Sequence, residues 1–165
     1  INLEGSLYPL IDYEGLKVYD KYLSDEMRDY IDIKAMDSNH PTIIDAEIIP
    51  VDELAERIIK VEDYLKKHPK DGRYEKVLRL YGTYINFYLG GSDNSPIYEY
   101  DTKKIKDEVL SSYKKIATKQ DMIISHIIGR YMDIINQNGN VIDNNVLSRI
   151  TELHNEAIAN IEGYK

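Results

Sequence analysis

An all-α protein is what this sequence predicts, and three observations carry that expectation. Apolar residues recur at steps of three and four nearly throughout, and proline and glycine collect at a few breaks. No alternating strand pattern of useful length occurs, save a possible one at residues 43–49. The connections are mostly short, so about six helices packed as antiparallel hairpins are expected, as a bundle or a short repeat-like stack. With 165 residues and 42% hydrophobic content, residues 1–165 are expected to form a single all-helical domain with a core of its own.

The first helix is expected over about residues 13–36, with Leu16, Tyr19, Leu23, Met27, Tyr30 and Ile31 on one stripe. Residues 37–41 read as a linker, followed by the apolar pairs Ile43-Ile44 and Ile48-Ile49. Pro50 precedes Asp52, Glu53 and Glu56, acids that suit the positive end of a helix dipole. A second helix is therefore expected over about residues 52–67, burying Leu54, Ile58, Val61 and Leu65. His68-Pro69-Lys70-Asp71-Gly72 is a break, because the residue before proline disfavours helical geometry.

A third helix spans about residues 73–89, with Tyr74, Val77, Leu78, Tyr81, Ile85 and Tyr88 along one face, and Gly90-Gly91 ends it. Residues 92–100 have turn chemistry. Asp101 is expected to cap a fourth helix reaching about Ala117, with Ile105, Val109, Tyr113 and Ile116 inward. Lys103, Lys104 and Lys106 then fall at its start, against the dipole preference, with Asp107 and Glu108 after them. Thr118 and Asp121 resemble a capping box for a fifth helix over about residues 119–136, apolar on several sides and expected at the centre. Residues 137–140 turn the chain, and Asp143 opens a last helix burying Val146, Leu147, Ile150, Leu153, Ala157, Ile158 and Ile161.

Composition narrows the function. The 21 basic and 29 acidic residues leave a net charge of −8, so no nucleic-acid partner is expected, since phosphate binding needs a clustered basic surface. With no cysteine, a disulfide scaffold, a thiolate metal site and a cysteine nucleophile are excluded. The most apolar stretch, residues 122–135, is interrupted by His126, Arg130 and Asp133. It is too short and too polar to span a bilayer, so membrane insertion by this segment is not expected. The sequence opens on Ile1, as expected of a processed product or a fragment.

Between residues 58 and 82 the chain reads IIKVEDYLKKHPKDGRYEKVLRLYG. This resembles the helix–Pro–helix step of the tetratricopeptide-like hairpin modules of exported bacterial proteins. Tyr64, Lys66, Lys67 and Pro69 match the end of the first helix; Leu78 and Gly82 match the second, where glycine lets a packed neighbour approach closely. Tyr74 and Val77 stand where such repeats prefer alanine, and no later segment repeats the pattern. The resemblance implies helical hairpins and a binding role, in an exported or cell-surface setting, with a cytoplasmic one as the alternative.

Motifs for chemistry are sparse. Asn136-Gln137-Asn138-Gly139-Asn140 has alternating oxygen side chains, but Val141 and Leu147 fall where a calcium loop needs glycine and glutamate, so a turn is expected. None of His40, His68, His126 or His154 follows a glutamate by three residues, and His126 and His154 are expected to be packed. Phosphate-loop and nucleophile-elbow patterns do not occur. Neither a metal nor a cofactor is expected.

The tyrosines are the strongest functional clue, 15 of them against one Phe and no Trp. Tyrosine joins a flat apolar ring to a polar tip, which suits partner surfaces and half-buried interfaces alike. Tyr74, Tyr81 and Tyr88 recur every seven residues along one helix face, where packing against a neighbour is the expected role of the first two. Tyr84 lies near that face, and Tyr98 and Tyr100 lie on the following loop. The expected function is a non-catalytic helical binding or scaffolding module of an exported or cell-surface bacterial protein. Its partner is expected to be a protein, peptide or glycan met through Tyr84, Tyr88, Asp93, Asn94, Tyr98 and Tyr100. Two alternatives stand beside it: a small glycan-directed hydrolase using Glu99 with a second carboxylate, and a purely structural spacer.

Overall fold

Apolar periodicity and the proline and glycine breaks fold this chain as an all-α protein with two minimal β-hairpins. The computed structural model describes residues 2–3, 6–7, 9, 11–44 and 47–165. Length alone pointed to one domain; the chain groups into two units, Ile1–Pro41 and Thr42–Lys165.

In the first unit, β1 (Asn2–Leu3) and β2 (Ser6–Leu7) pair antiparallel. The helix expected over residues 13–36 is divided into α1 (Tyr13–Leu16), a 3-10 turn (Lys17–Tyr22) and α2 (Asp25–Asn39). Leu23 and Ser24 are extended, with ψ of 152° and 161°. Ser24 starts the new helix: its carbonyl accepts from the N–H groups of Met27 and Arg28, and Asp25 and Glu26 fill the first turn, where the dipole favours acids. The Arg28 guanidinium donates back across the break to the carbonyls of Asp20 and Leu23. The break changes helical phase. Tyr30 and Ile31 are buried as expected, whereas Tyr19 is exposed.

The second unit begins with β3 (Ile43–Ile44) and β4 (Glu47–Ile48), an antiparallel hairpin where a single strand over residues 43–49 was the possibility; residues 45–46 lie outside the described residues. Its base is anchored by Arg57, a buried guanidinium that donates to Thr42 Oγ1 at 2.9 Å and to Glu53 at 2.7 Å. Five longer helices follow, α3 (Val51–Lys67), α4 (Tyr74–Gly90), α5 (Asp107–Ala117), α6 (Ile123–Gln137) and α8 (Ile150–Glu162), with the short α7 (Asn144–Ser148) preceding the last. Helix α3 packs on α4 and α5, α4 on α8, and α6 on α3, α5 and α8. The expected inward stripes of α3, α4 and α5 are buried throughout.

Gly82 admits α8 closely: a Cβ there would come within 2.7 Å of His154 Nε2. His126, expected to be packed, is instead exposed. With Arg130 and Asp133 it forms the outer strip of α6, opposite Ile124, Ile127, Ile128 and Tyr131. Asp143 caps α7 by accepting from Asn145 N and Val146 N.

Two expected starts are displaced. Helix α5 begins at Asp107 rather than after Asp101, where the charge pattern turns from lysine to acid and so matches the dipole. Helix α6 begins at Ile123 rather than near Lys119. Asp121 does not complete a capping box but sits in the left-handed region, with φ of 60°. The cap comes from a distant place. The fully buried carboxylate of Glu62, on α3, accepts from Ile123 N at 2.6 Å and from Ile124 N at 3.0 Å. Tyr81 of α4 donates its hydroxyl to the same carboxylate at 2.7 Å. Lys66, one turn along α3, pairs with it at 2.7 Å and donates to the Asp121 carbonyl at 2.6 Å. One side chain thus joins three helices.

The α3–α4 turn has its own clasp. The Asp71 carboxylate accepts from the Tyr64 hydroxyl at 2.9 Å and from Arg73 N and Nε, each at 2.7 Å. Hydrogen bonds from the Arg73 side chain, against an opposing effect of burial, hold Asp71 well below the usual carboxylate range.

Two outcomes are expected. Glu62→Ala leaves buried donors and the Lys66 ammonium without their acceptor and should cost about 3–5 kcal/mol in urea unfolding, with Glu62→Gln intermediate. Asp71→Asn should cost about 2 kcal/mol at pH 7. Because the folded Asp71 ionises below its unfolded value of about 3.9, its contribution is present above that pH and is lost as pH falls through the folded value. The gap between wild type and Asp71→Asn should therefore narrow steadily below about pH 4.

Candidate functional site: the loop after α4

Helix α4 ends because Gly91 adopts φ 74° and ψ −155°, and a Cβ there would run into the Ser95 carbonyl oxygen. Beyond it, Ser92 and Ser95 close a tight turn through reciprocal backbone hydrogen bonds, and Ser95 Oγ accepts from Ile48 N of β4. Pro96 and Ile97 are buried and pin the loop to the unit. Residues 97–106 then fold back on themselves: Tyr98 bridges to Ile105, Glu99 N donates to the Lys104 carbonyl and Lys106 N to the Ile97 carbonyl. A further bridge joins Lys104 to Val141, beside the turn that follows α6. This stitched loop is where Asp101 sits, which is why it caps no helix.

At the loop surface, the Tyr98 and Tyr100 rings stand 6.4 Å apart at 76°. Tyr100 is 61% exposed, and its hydroxyl donates to the Asp93 carbonyl at 2.6 Å. Tyr98 is half-buried; Asp93 and Asn94 are exposed at the tip. Asn94 also borders a groove lined by Ile48, Pro50, Phe87, Pro96 and Ile97. Lys103, which in the sequence stands only as part of a charged run with Lys104 and Lys106, completes the group: its ammonium lies 4.6 Å from the Tyr98 centroid and 5.8 Å from that of Tyr100. Its backbone is left-handed, with φ of 56°. Nothing in its one-dimensional context announces that geometry, which needs the chain reversal between Glu99 and Lys104.

Tyr84 and Tyr88 are placed elsewhere. Both are 1% exposed, so the expectation that they belong to a contact surface is corrected: their rings lie in the core. The helical phase that sets Tyr74 and Tyr81 inward carries Tyr88 with them, and Tyr84, three residues after Tyr81, falls on the same buried side. The Tyr88 hydroxyl meets Ser112 Oγ at 2.9 Å, its carbonyl accepts the Tyr113 hydroxyl at 2.6 Å, and the two rings meet edge to face at 5.1 Å. Burial pushes Tyr81, Tyr88, Tyr113 and Tyr131 above the ordinary phenol range.

The oxygen-rich residues 136–140 are the end of α6 and the turn after it, with Gly139 and Asn140 left-handed. Among the described residues no three His, Asp or Glu side chains converge as a metal site. Glu99, the carboxylate named for the hydrolase alternative, is exposed, as is the nearby Asp101. No helix among the described residues is long and apolar enough to cross a membrane. Protein-family models, curated proteins and solved structures were compared with this chain, and none of them matches it.

The two sets of tyrosines should separate in unfolding experiments. Tyr88→Ala should cost about 3–5 kcal/mol, as large aromatic truncations in cores do. Tyr98→Ala and Tyr100→Ala should each cost less than about 1 kcal/mol.

Proposed function

We infer that the chain is a non-catalytic helical binding or scaffolding module whose contact surface is the loop after α4, with Asp93, Asn94, Tyr98 and Tyr100 meeting a protein, peptide or glycan. The observation that carries this reading is the tyrosine pair, Tyr100 exposed and Tyr98 half-buried, on a backbone stitched from both sides. A core has no use for Tyr100 in that position, and the hydrogen bond to the Asp93 carbonyl holds its ring outward at the surface. Aromatic rings held in advance bind with little loss of freedom, and such rings dominate recognition surfaces. Function concentrates on loops that a rigid scaffold positions, and here β4 and the turn after α6 both hold the loop.

The helix–Pro–helix step over residues 58–82, with its resemblance to tetratricopeptide-like hairpins, supports a binding role and an exported or cell-surface setting. Phosphate-loop and nucleophile-elbow motifs do not occur in the sequence.

The test is a titration of the full chain, followed by backbone amide resonances, with a panel of peptides and oligosaccharides. Binding should perturb Asp93, Asn94, Tyr98 and Tyr100 first. Tyr98→Ala should abolish the response while the melting temperature stays within about 2 °C of wild type. Binding that maps to another face, or that survives Tyr98→Ala and Tyr100→Ala together, would overturn the assignment. Glycan cleavage lost on Glu99→Gln would overturn the non-catalytic reading.

A further inference from the structure

Lys103 is a cation in an unusual place. Glu99 and Asp101 are close in sequence, and the Lys103 ammonium lies over the rings of two tyrosines. Two rings at 76° form a corner whose walls both turn negative π-faces inward, and the ammonium is within 6 Å of both centroids. Lys103 is held by its main chain and not by this contact: its N–H donates to the Glu99 carbonyl at 2.8 Å, and its carbonyl accepts from Ile142 N at 2.7 Å. The Tyr98 main chain is held by its bridge to Ile105 and the Tyr100 ring by its hydroxyl bond to the Asp93 carbonyl. Neither anchor involves the lysine side chain. An exposed contact of this kind is weak enough for a second ammonium to displace it.

Resting on the binding role proposed for this loop, we propose that the Tyr98–Tyr100 corner is a lysine-recognition site for a basic segment of a partner protein, with Lys103 as its resident, exchangeable occupant. Charge selects the partner. Residues 93–103 carry the carboxylates of Asp93, Glu99 and Asp101 against the single ammonium of Lys103. In the adjoining groove, Glu99, Asp107 and Glu108 outnumber Lys104 and Lys106. The whole chain carries −8, which steers cationic partners in and acidic ones away. An incoming lysine replaces like with like at the rings, and the Lys103 side chain returns to water next to the surrounding carboxylates.

The test uses the full chain and a short lysine-rich peptide bearing one trimethyl-lysine, beside the same peptide with the neutral tert-butyl isostere. The charged peptide should bind at least about three-fold tighter than the neutral one. Lys103→Gly, which suits the positive φ, and Lys103→Gln should each tighten the charged peptide by about two- to five-fold, because the resident competitor is gone. Tyr98→Ala and Tyr100→Ala should lose the charge preference with the fold intact. Equal binding of the two peptides, or weaker binding by both Lys103 variants, would overturn the site. If acidic peptides or glycans bound through Tyr98 and Tyr100 without preference for a cation, the lysine corner would fail while the contact loop stood. If nothing bound at that loop, both would fail.

Discussion

Glu62 is the constraint from which the larger unit is built. A helix that begins in the interior leaves backbone N–H groups without acceptors, and α6 begins there. The Glu62 carboxylate answers two of those donors, takes the Tyr81 hydroxyl as a third, and is neutralised by Lys66. A buried charge is tolerable only when its lone pairs are occupied and a countercharge is in contact. Here both conditions hold, and α3, α4 and α6 must keep one mutual register to hold them. Helix α8 then packs on α4 and α6, with Gly82 allowing the close approach.

The same logic runs through the core as a whole. With one Phe and no Trp in the sequence, large aromatic volume must come from tyrosine, and each ring brings a hydroxyl inside. Tyr64 finds Asp71, Tyr74 the Ile161 carbonyl, Tyr81 Glu62, Tyr88 Ser112 and Tyr113 the Tyr88 carbonyl. These bonds contribute less by their net strength, about 1 kcal/mol each, than by the geometry they demand, since an orphaned hydroxyl costs about 1–3 kcal/mol. The Tyr131 hydroxyl is the exception, buried with no partner among the described residues. A core of this kind specifies helix register as well as volume.

This explains what was legible in the sequence and what was not. The inward stripes of α3, α4 and α5 follow from local periodicity, and all three are buried as that periodicity implies. The start of α6 was not legible, because its cap lies 61 residues away on another helix. The start of α5 was within reach of local reasoning: Lys103, Lys104 and Lys106 were poorly suited to a helix N-terminus, and the chain starts the helix after them. For the candidate site, tyrosine spacing pointed to both Tyr88 and Tyr98. Spacing cannot tell a ring whose hydroxyl finds Ser112 inside from one whose neighbour is a solvent-facing lysine. That distinction depends on long-range partners, and so does the place of Lys103 between two rings.

The most direct measurement of this account is amide hydrogen exchange at Ile123 and Ile124. An ordinary first turn frays and exchanges quickly, whereas amides held by a buried carboxylate exchange only when the structure opens around them. If Glu62 organises the unit, both amides should be protected to the same degree as the middle of α6, near Ile127 and Ile128, and should share the denaturant dependence of global unfolding. Fast exchange at Ile123 and Ile124, with the rest of α6 still protected, would contradict the claim that this carboxylate joins the helices.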